Sequence, residues 1–304
     1  IQPEPGQWQT YILGVVDQLV KRGKPVQGFK LVIYGDVPLG AGLSSSAAVE
    51  CAAAFALNEL FDLQLSKIEL VKIAQLAEHA FAGVKCGIMD QFASAFGKKD
   101  HVIKLDCRSL DYAYFPVQLE GYKIVLLDSM VKHSLASTEY NVRRRQCEEG
   151  VALLRNKFPQ VNSLRDVSLV MIDECLAHDE IIANRCRYVV EENTRLQEGC
   201  VDLLNGKLEA FGQKMFTTHK GLSELYEVSC KELDFLVESV KNRADVIGAR
   251  MMGGGFGGCT INLVKETAID VVIQTITEKY NTAYGKEPKA YVVQIEDGTS
   301  VIHT

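Results

Sequence analysis

No stretch of this 304-residue sequence reaches the ~20 consecutive apolar residues that a bilayer-spanning helix needs, so a membrane-embedded function is not expected. Long basic runs are also missing and the formal net charge is −6, which argues against a nucleic-acid partner. The nine cysteines include no Cys-x-x-Cys pair and are odd in number, which suits neither a disulfide framework nor a zinc site. Cys51, Cys86 and Cys259 lie among apolar or glycine residues and read as small buried hydrophobes. That usage fits a reducing compartment, and a cytoplasmic location is expected. The chain has no initiator methionine and no signal peptide; it opens Ile1-Gln2-Pro3-Glu4-Pro5-Gly6, as if cut from something longer. Internal repeats and low-complexity linkers are absent.

What remains is an ordinary globular composition, 47% hydrophobic and 24% charged, at a length that suits two domains. Residues 8–21 carry helical periodicity through Trp8, Tyr11, Ile12, Val15, Val16 and Leu19. Residues 28–37 alternate like a strand, with Phe29, Leu31 and Ile33 on one face. A helix apolar nearly all round, and therefore buried, is expected from about Ser45 to Phe61. Ser66-x-x-Glu69 is a capping-box pattern that opens a helix running to about Phe81. Gly87 to Gln91 turns into a helix that stops at Gly97. Strands are expected at 101–106, 122–128, 260–264 and near 290–295, and helices at 138–156, across 180–240 and near 266–280. The mixture indicates an α+β fold.

The most informative stretch is Pro38-Leu39-Gly40-Ala41-Gly42-Leu43-Ser44-Ser45-Ser46-Ala47-Ala48. Glycines permit a tight turn close to a ligand, and the serines precede the apolar helix, whose first N–H groups have no intrahelical partner. Such a helix start attracts anions, a nucleotide phosphate above all. No lysine follows Gly42 as a P-loop requires, and Ser45 stands where a dinucleotide fingerprint needs its third glycine. Taken alone, the stretch reads equally as a serine-capped turn. Three serines exceed what one cap uses, which tilts the reading to binding.

Five glycines in six residues, Gly253-Gly254-Gly255-Phe256-Gly257-Gly258, forfeit much chain entropy and point to a close approach, either to a ligand or to the first glycine loop. Phe256 is expected to anchor that loop apolarly. Asp90, in an apolar setting at a helix start, is the best acid/base candidate, although local pattern favours an N-cap role. Glu78, at the end of an apolar-faced helix, reads locally as a solvated carboxylate. A carboxylate with a serine hydroxyl could hold Mg²⁺, which uses one or two carboxylates plus substrate phosphates. Arg143-Arg144-Arg145 reads as a solvated, salt-bridged helix surface, and His79, His133 and His219 lack metal-ligand spacing.

Together these segments resemble the GHMP kinase superfamily, and within it the galactokinase family. Pro38–Ala48 is similar to the superfamily's second motif and Met252–Cys259 to its third. More selective are Cys86-Gly87-Ile88-Met89-Asp90-Gln91, Asp106-Cys107-Arg108-Ser109-Leu110, His133-Ser134-Leu135-Ala136-Ser137 and the stretch from Glu139-Tyr140 to Cys147-Glu148. The resemblance runs from about Trp8 to the C-terminus and implies ATP-dependent phosphorylation of galactose at its C1 hydroxyl. It assigns Gly40, Ala41, Gly42, Leu43, Ser44, Ser45 and Ser46 to the ATP phosphates, Ser46 and Glu78 to Mg²⁺, Asp90 to the catalytic base, and Gly87 and Tyr140 to the sugar. Trp8 matches a position near the nucleotide. The local readings of Asp90 and Glu78 are thereby reversed.

The implied architecture is two-domain: residues 1–118 similar to ribosomal protein S5 domain 2, residues 119–304 ferredoxin-like, with the active site in the cleft between them. A cytosolic monomer is expected, with galactose and ATP as small-molecule partners and neither nucleic acid nor membrane. One departure stands out. The family's first motif, Gly-Arg-x-Asn-x-Ile-Gly-Glu-His-x-Asp-Tyr, does not occur in these residues, so its arginine and most sugar ligands are expected to be lacking, along with roughly a quarter of the family's usual length. A kinase for another small alcohol and a non-catalytic sugar-sensing relative remain alternatives. Ser46-Ala47, a pair missing from some such sensors, favours the enzyme.

Overall fold

The computed structural model describes residues 1–2, 7–38, 43–131 and 136–302, and for 136–138 the backbone alone. Gly40, Ala41, Gly42 and His133 therefore lie outside the described residues, as do Leu39, Lys132, Ser134 and Leu135. The chain divides into two compact units, one of Ile1–Val117 with Ile295–Thr304 and the other of Gln118–Gln294. The sequence suggested a division at 118/119; the C-terminal residues group with the first unit.

In the first unit, helices α1 (Gln9–Lys21), α2 (Ser45–Leu60), α3 (Lys67–Ala77) and α4 (Met89–Phe96) precede an antiparallel hairpin of β1 (His101–Leu105) and β2 (Tyr112–Pro116). Val15, Leu19, Ala54, Leu57, Leu70 and Ile73 form one core, and Val71, Ile88, Phe92 and Ala95 a second. The capping box at Ser66 and Glu69 is formed. Gly14 brings α1 against Ala77, where a Cβ would meet the alanine methyl at 2.9 Å. That close crossing fixes the chain immediately before Glu78, where α3 gives way to a π-turn (Glu78–Ala82) closed by Gly83 at φ 73°. C-terminal residues tie to the end of α4 through Thr299 N–H to the Ser94 carbonyl, 2.9 Å, and Gly298 N–H to that of Gly97, 2.8 Å.

The strand expected over 28–37 is not formed. Val32 and Tyr34 are each 95% exposed, and Leu31 and Ile33, on the face meant to be buried, are 40% and 42% exposed. Alternation marks a face that could be covered, but a strand exists only with a neighbour to share its hydrogen bonds, and none of the described strands pairs with this segment. Conversely, β2 was not anticipated.

The second unit carries a four-stranded antiparallel sheet, β3 (Tyr122–Asp128), β4 (Val246–Met251), β5 (Cys259–Lys265) and β6 (Lys289–Val293), in the order β4-β5-β3-β6. Helices α5 (Ala136–Lys157), α6 (Leu169–Cys175), α7 (Glu180–Leu204), α8 (Leu208–Glu224) and α9 (Lys231–Lys241) separate β3 from β4, and α10 (Ile269–Tyr284) separates β5 from β6. Strand, helices, hairpin, helix, strand, with the first and third strands adjacent at the centre, is the ferredoxin-like split βαβ arrangement. Val125, Leu127, Leu236, Val240, Val264, Ile276 and Tyr280 fill the space between sheet and helices. The glycine-rich loop joins β4 to β5. Among the described residues no helix is long and apolar enough to cross a membrane.

Candidate active site

Two serines at the start of α2 each reach an acid contributed by another element. Ser44 occupies the N-cap position but sits at φ 53° and makes no capping bond. Its Oγ donates instead to Asp90 Oδ2 at 2.7 Å. Ser46 Oγ donates to Glu78 Oε1 at 3.0 Å. The capped-turn reading therefore fails at Ser44: the first-turn N–H groups of α2 have no side-chain cap, and the hydroxyl is turned to a carboxylate. Asp90 is not an N-cap either. It lies inside the first turn of α4, behind Ile88 at the N-cap position.

Behind these pairs lies a buried polar layer. Gln91 and Glu50 are both 0% exposed. Gln91 Nε2 donates to Glu78 Oε2 at 2.6 Å and to Glu50 Oε2 at 3.3 Å. Burial pushes the Glu50 carboxyl up to about 9, with the Glu78 charge adding to the rise and the Gln91 hydrogen bond opposing it. Burial, then Glu78 and Glu50, raise the Tyr11 phenol as well. Cys86 is half-buried rather than buried, and its thiol reaches Glu78 Oε2 at 3.5 Å. Burial and then the Glu78 charge push that thiol up to about 12, so it is a weak donor and not a thiolate nucleophile. Cys51 and Cys259 are buried as expected. His79 is structural: its Nε2 bonds the Cys86 carbonyl at 2.8 Å, which with Gln75 Nε2 at 3.2 Å holds the approach to α4.

Ser46 and Glu78 are the pair in this layer that suits a hard cation. A hydroxyl and a carboxylate oxygen 3.0 Å apart supply two oxygen donors, and Mg²⁺ fills its remaining positions with water and substrate phosphate. A dedicated protein cage is not what the site offers, since no group of three or more His, Cys, Asp or Glu among the described residues could hold a metal ion. Gly87 is exposed, with open space where a Cβ would stand. Leu43 and Ser45 lead into α2, and Trp8, at the start of α1, is 55% exposed.

In the second unit the glycine loop is built for close approach, but to its own neighbours. A Cβ on Gly255, at φ 89°, would stand 2.1 Å from the Val228 carbonyl oxygen. Phe256 adopts φ 61°, donates its N–H to that oxygen at 2.6 Å, and packs with Val228, Leu233 and Met251. The expected apolar anchor is therefore present. Tyr140 packs beside Gly254, 3.6 Å from where its Cβ would lie. His219 accepts the Met251 N–H at 3.1 Å just before the loop, a structural role.

The solvated-surface reading of the arginines holds for Arg144, which pairs with Glu148, and fails for Arg143. Arg143 donates from Nε to the Tyr226 carbonyl at 2.8 Å and from an Nη to that of Glu227 at 2.7 Å, and its guanidinium lies 5.8 Å from the Phe256 ring centre. Spacing on α5 gave no sign of this, because the acceptors lie 83 and 84 residues away. Glu50 and Gln91 were likewise missed as site residues; the one signal was a charged residue in the apolar run after Ser46.

The GHMP kinases N terminal domain family matches residues 10–98, and the GHMP kinases C terminal family matches residues 201–282. A galactokinase of Thermotoga neapolitana is 44% identical over 295 residues, covering 97% of this chain and 82% of the relative. One of Clostridium acetobutylicum is 42% identical, covering 97% and 77%. The crystal structure of Lactococcus lactis galactokinase complexed with galactose superposes with a TM-score of 0.94 at 34% identity, covering 98% of this chain and 78% of that one. An L. major mevalonate kinase, at 17% identity and a TM-score of 0.58, shares the fold alone.

Proposed function

This chain belongs to the galactokinases of the GHMP kinase superfamily, and from that membership we propose that it transfers the γ-phosphoryl group of ATP to the C1 hydroxyl of α-D-galactose, giving galactose 1-phosphate and ADP. The observation that carries the assignment of roles is the double pairing at the start of α2, Ser44 with Asp90 and Ser46 with Glu78. Phosphoryl transfer asks a protein for positioning and charge neutralisation more than for covalent chemistry. These residues offer that: two oriented carboxylates, an uncapped helix start, and a cysteine held as a thiol.

Asp90 is the base. Ser44 occupies its Oδ2, and the other carboxylate oxygen is assigned to the C1 hydroxyl, whose proton it accepts or orients. The first-turn N–H groups of α2, at Ser45, Ser46 and Ala47, face phosphate oxygens, as helix starts favour. Leu43 and, by the family resemblance, Gly40, Ala41 and Gly42 complete that cradle. Ser46 and Glu78 hold Mg²⁺, which when bound neutralises the charge on the β- and γ-phosphates. Gly87 and Tyr140 are assigned to the sugar.

Asp90→Asn tests the central role. It keeps the shape and the Ser44 contact but removes the basic oxygen, and general-base help is worth ~10²–10⁴-fold. Turnover on galactose should fall by at least that factor while ATP binding, measured by calorimetry, is retained. Near-wild-type turnover would remove Asp90 from the role. Wild-type turnover on another alcohol, and none on galactose, would overturn the substrate assignment.

A further inference from the structure

Ser46 and Glu50 lie four residues apart on α2 and so share one face of the helix. Glu78 accepts from Ser46, and Gln91 donates to both Glu78 and Glu50. The four side chains close a circuit through α2, the π-turn and α4. Gln91 has no exposure, and its main-chain carbonyl accepts the Cys51 thiol at 3.4 Å, so the donor at the centre of the circuit is itself held. The Gln91 amide has two N–H donors and no charge of its own, so it can bridge two carboxyl groups.

We propose that Gln91 is a positioning residue for the cation site: its carboxamide grips Glu78 Oε2 and so aims Oε1 at the point where the Ser46 hydroxyl converges. Because Gln91 follows Asp90 on the first turn of α4, that single turn sets both the base and the cation ligand. A displacement of α4 would disturb both together. This inference rests on the assignment of Ser46 and Glu78 to the cation.

The test compares Gln91→Met, which keeps length but loses both donors, with Glu78→Gln, reading Mg²⁺ dependence of ADP binding by calorimetry rather than turnover. Wild-type protein should bind ADP more tightly with Mg²⁺ than in EDTA. Glu78→Gln should abolish most of that enhancement. Gln91→Met should cut it about tenfold, equivalent to ~1.4 kcal/mol, while ADP affinity in EDTA stays at the wild-type value. A merely structural glutamine would lower thermal stability and leave the Mg²⁺ enhancement intact. Gln91→Asn, whose amide is retracted by one methylene, should show the same loss and serves if the methionine variant does not fold. Unchanged enhancement in a folded Gln91 variant, with Glu78→Gln impaired, overturns the inference alone. Unchanged enhancement in Glu78→Gln overturns the cation assignment beneath it.

Discussion

Replacing Glu50 by glutamine should abolish a pH dependence of stability that the native chain carries. In the folded protein burial and the neighbouring Glu78 charge keep the Glu50 proton on until about pH 9. In the unfolded chain the same carboxyl releases it near the ordinary glutamate value of roughly 4.3. Between those limits the folded state holds one more proton than the unfolded state, so stability falls as pH rises. One proton corresponds to ~1.4 kcal/mol per pH unit, or on the order of 3 kcal/mol between pH 5.5 and 7.5. Glutamine is nearly isosteric, uncharged, and leaves an acceptor for Gln91 Nε2, so the variant should lack this slope and be the more stable protein at pH 7.5. Trp8 is the one tryptophan and lies in the first unit with Glu50, which makes its fluorescence a local reporter in urea denaturation. EDTA must be present, because a cation bound at Glu78 would offset the repulsion. A wild-type-minus-variant difference that does not change with pH would refute the reasoning: Glu50 would then be ionised in the fold.

Gly255→Ala should destabilise the second unit by about 3 kcal/mol or more, combining a left-handed backbone that alanine resists with a Cβ driven to 2.1 Å from the Val228 carbonyl. Gly254→Ala, facing Tyr140 at 3.6 Å, should cost under ~1 kcal/mol, and circular-dichroism melts of the two variants make the comparison. Arg143→Met strips a charged donor from the carbonyls of both Tyr226 and Glu227 and should cost about 2–3 kcal/mol in urea titrations. Arg143→Lys should not restore it, because a single ammonium cannot reproduce the planar fork and the stacking on Phe256.

The residues that announced their structure did so through neighbours in sequence. Ser66 and Glu69, three residues apart, formed the capping box their spacing promised. The apolar run after Ser45 became α2, with Ala47, Cys51, Ala54 and Leu57 buried. Where a residue's fate depends on a distant partner, local pattern misled. Residues 28–37 had the alternation of a strand without a neighbour to make it one. Val246 to Met251, just before the glycine loop, carries no strand expectation from its sequence, yet these residues pair with β5 from Val246–Val264 to Met251–Thr260.

The same distinction separates the two halves of the site. That α2 would begin with N–H groups left without intrahelical partners was legible, since it needs only glycine, serine and an apolar helix in succession. The acids were not. Ser44 meets Asp90 across 46 residues and Ser46 meets Glu78 across 32, and each acid alone has the local appearance of a cap or a solvated side chain. The family resemblance pairs Ser46 with Glu78 at Mg²⁺ but assigns Ser44 to the phosphates rather than to Asp90. That resemblance includes Gln91 without giving it a role and leaves Glu50 out; both side chains have no exposure and so present no surface to a ligand. Their importance follows from what they hold: a carboxylate gripped at Oε2 keeps Oε1 aimed, and an uncharged Glu50 beneath it spares the site a second negative charge. A group that acts by fixing another becomes legible only when the contact between them is seen.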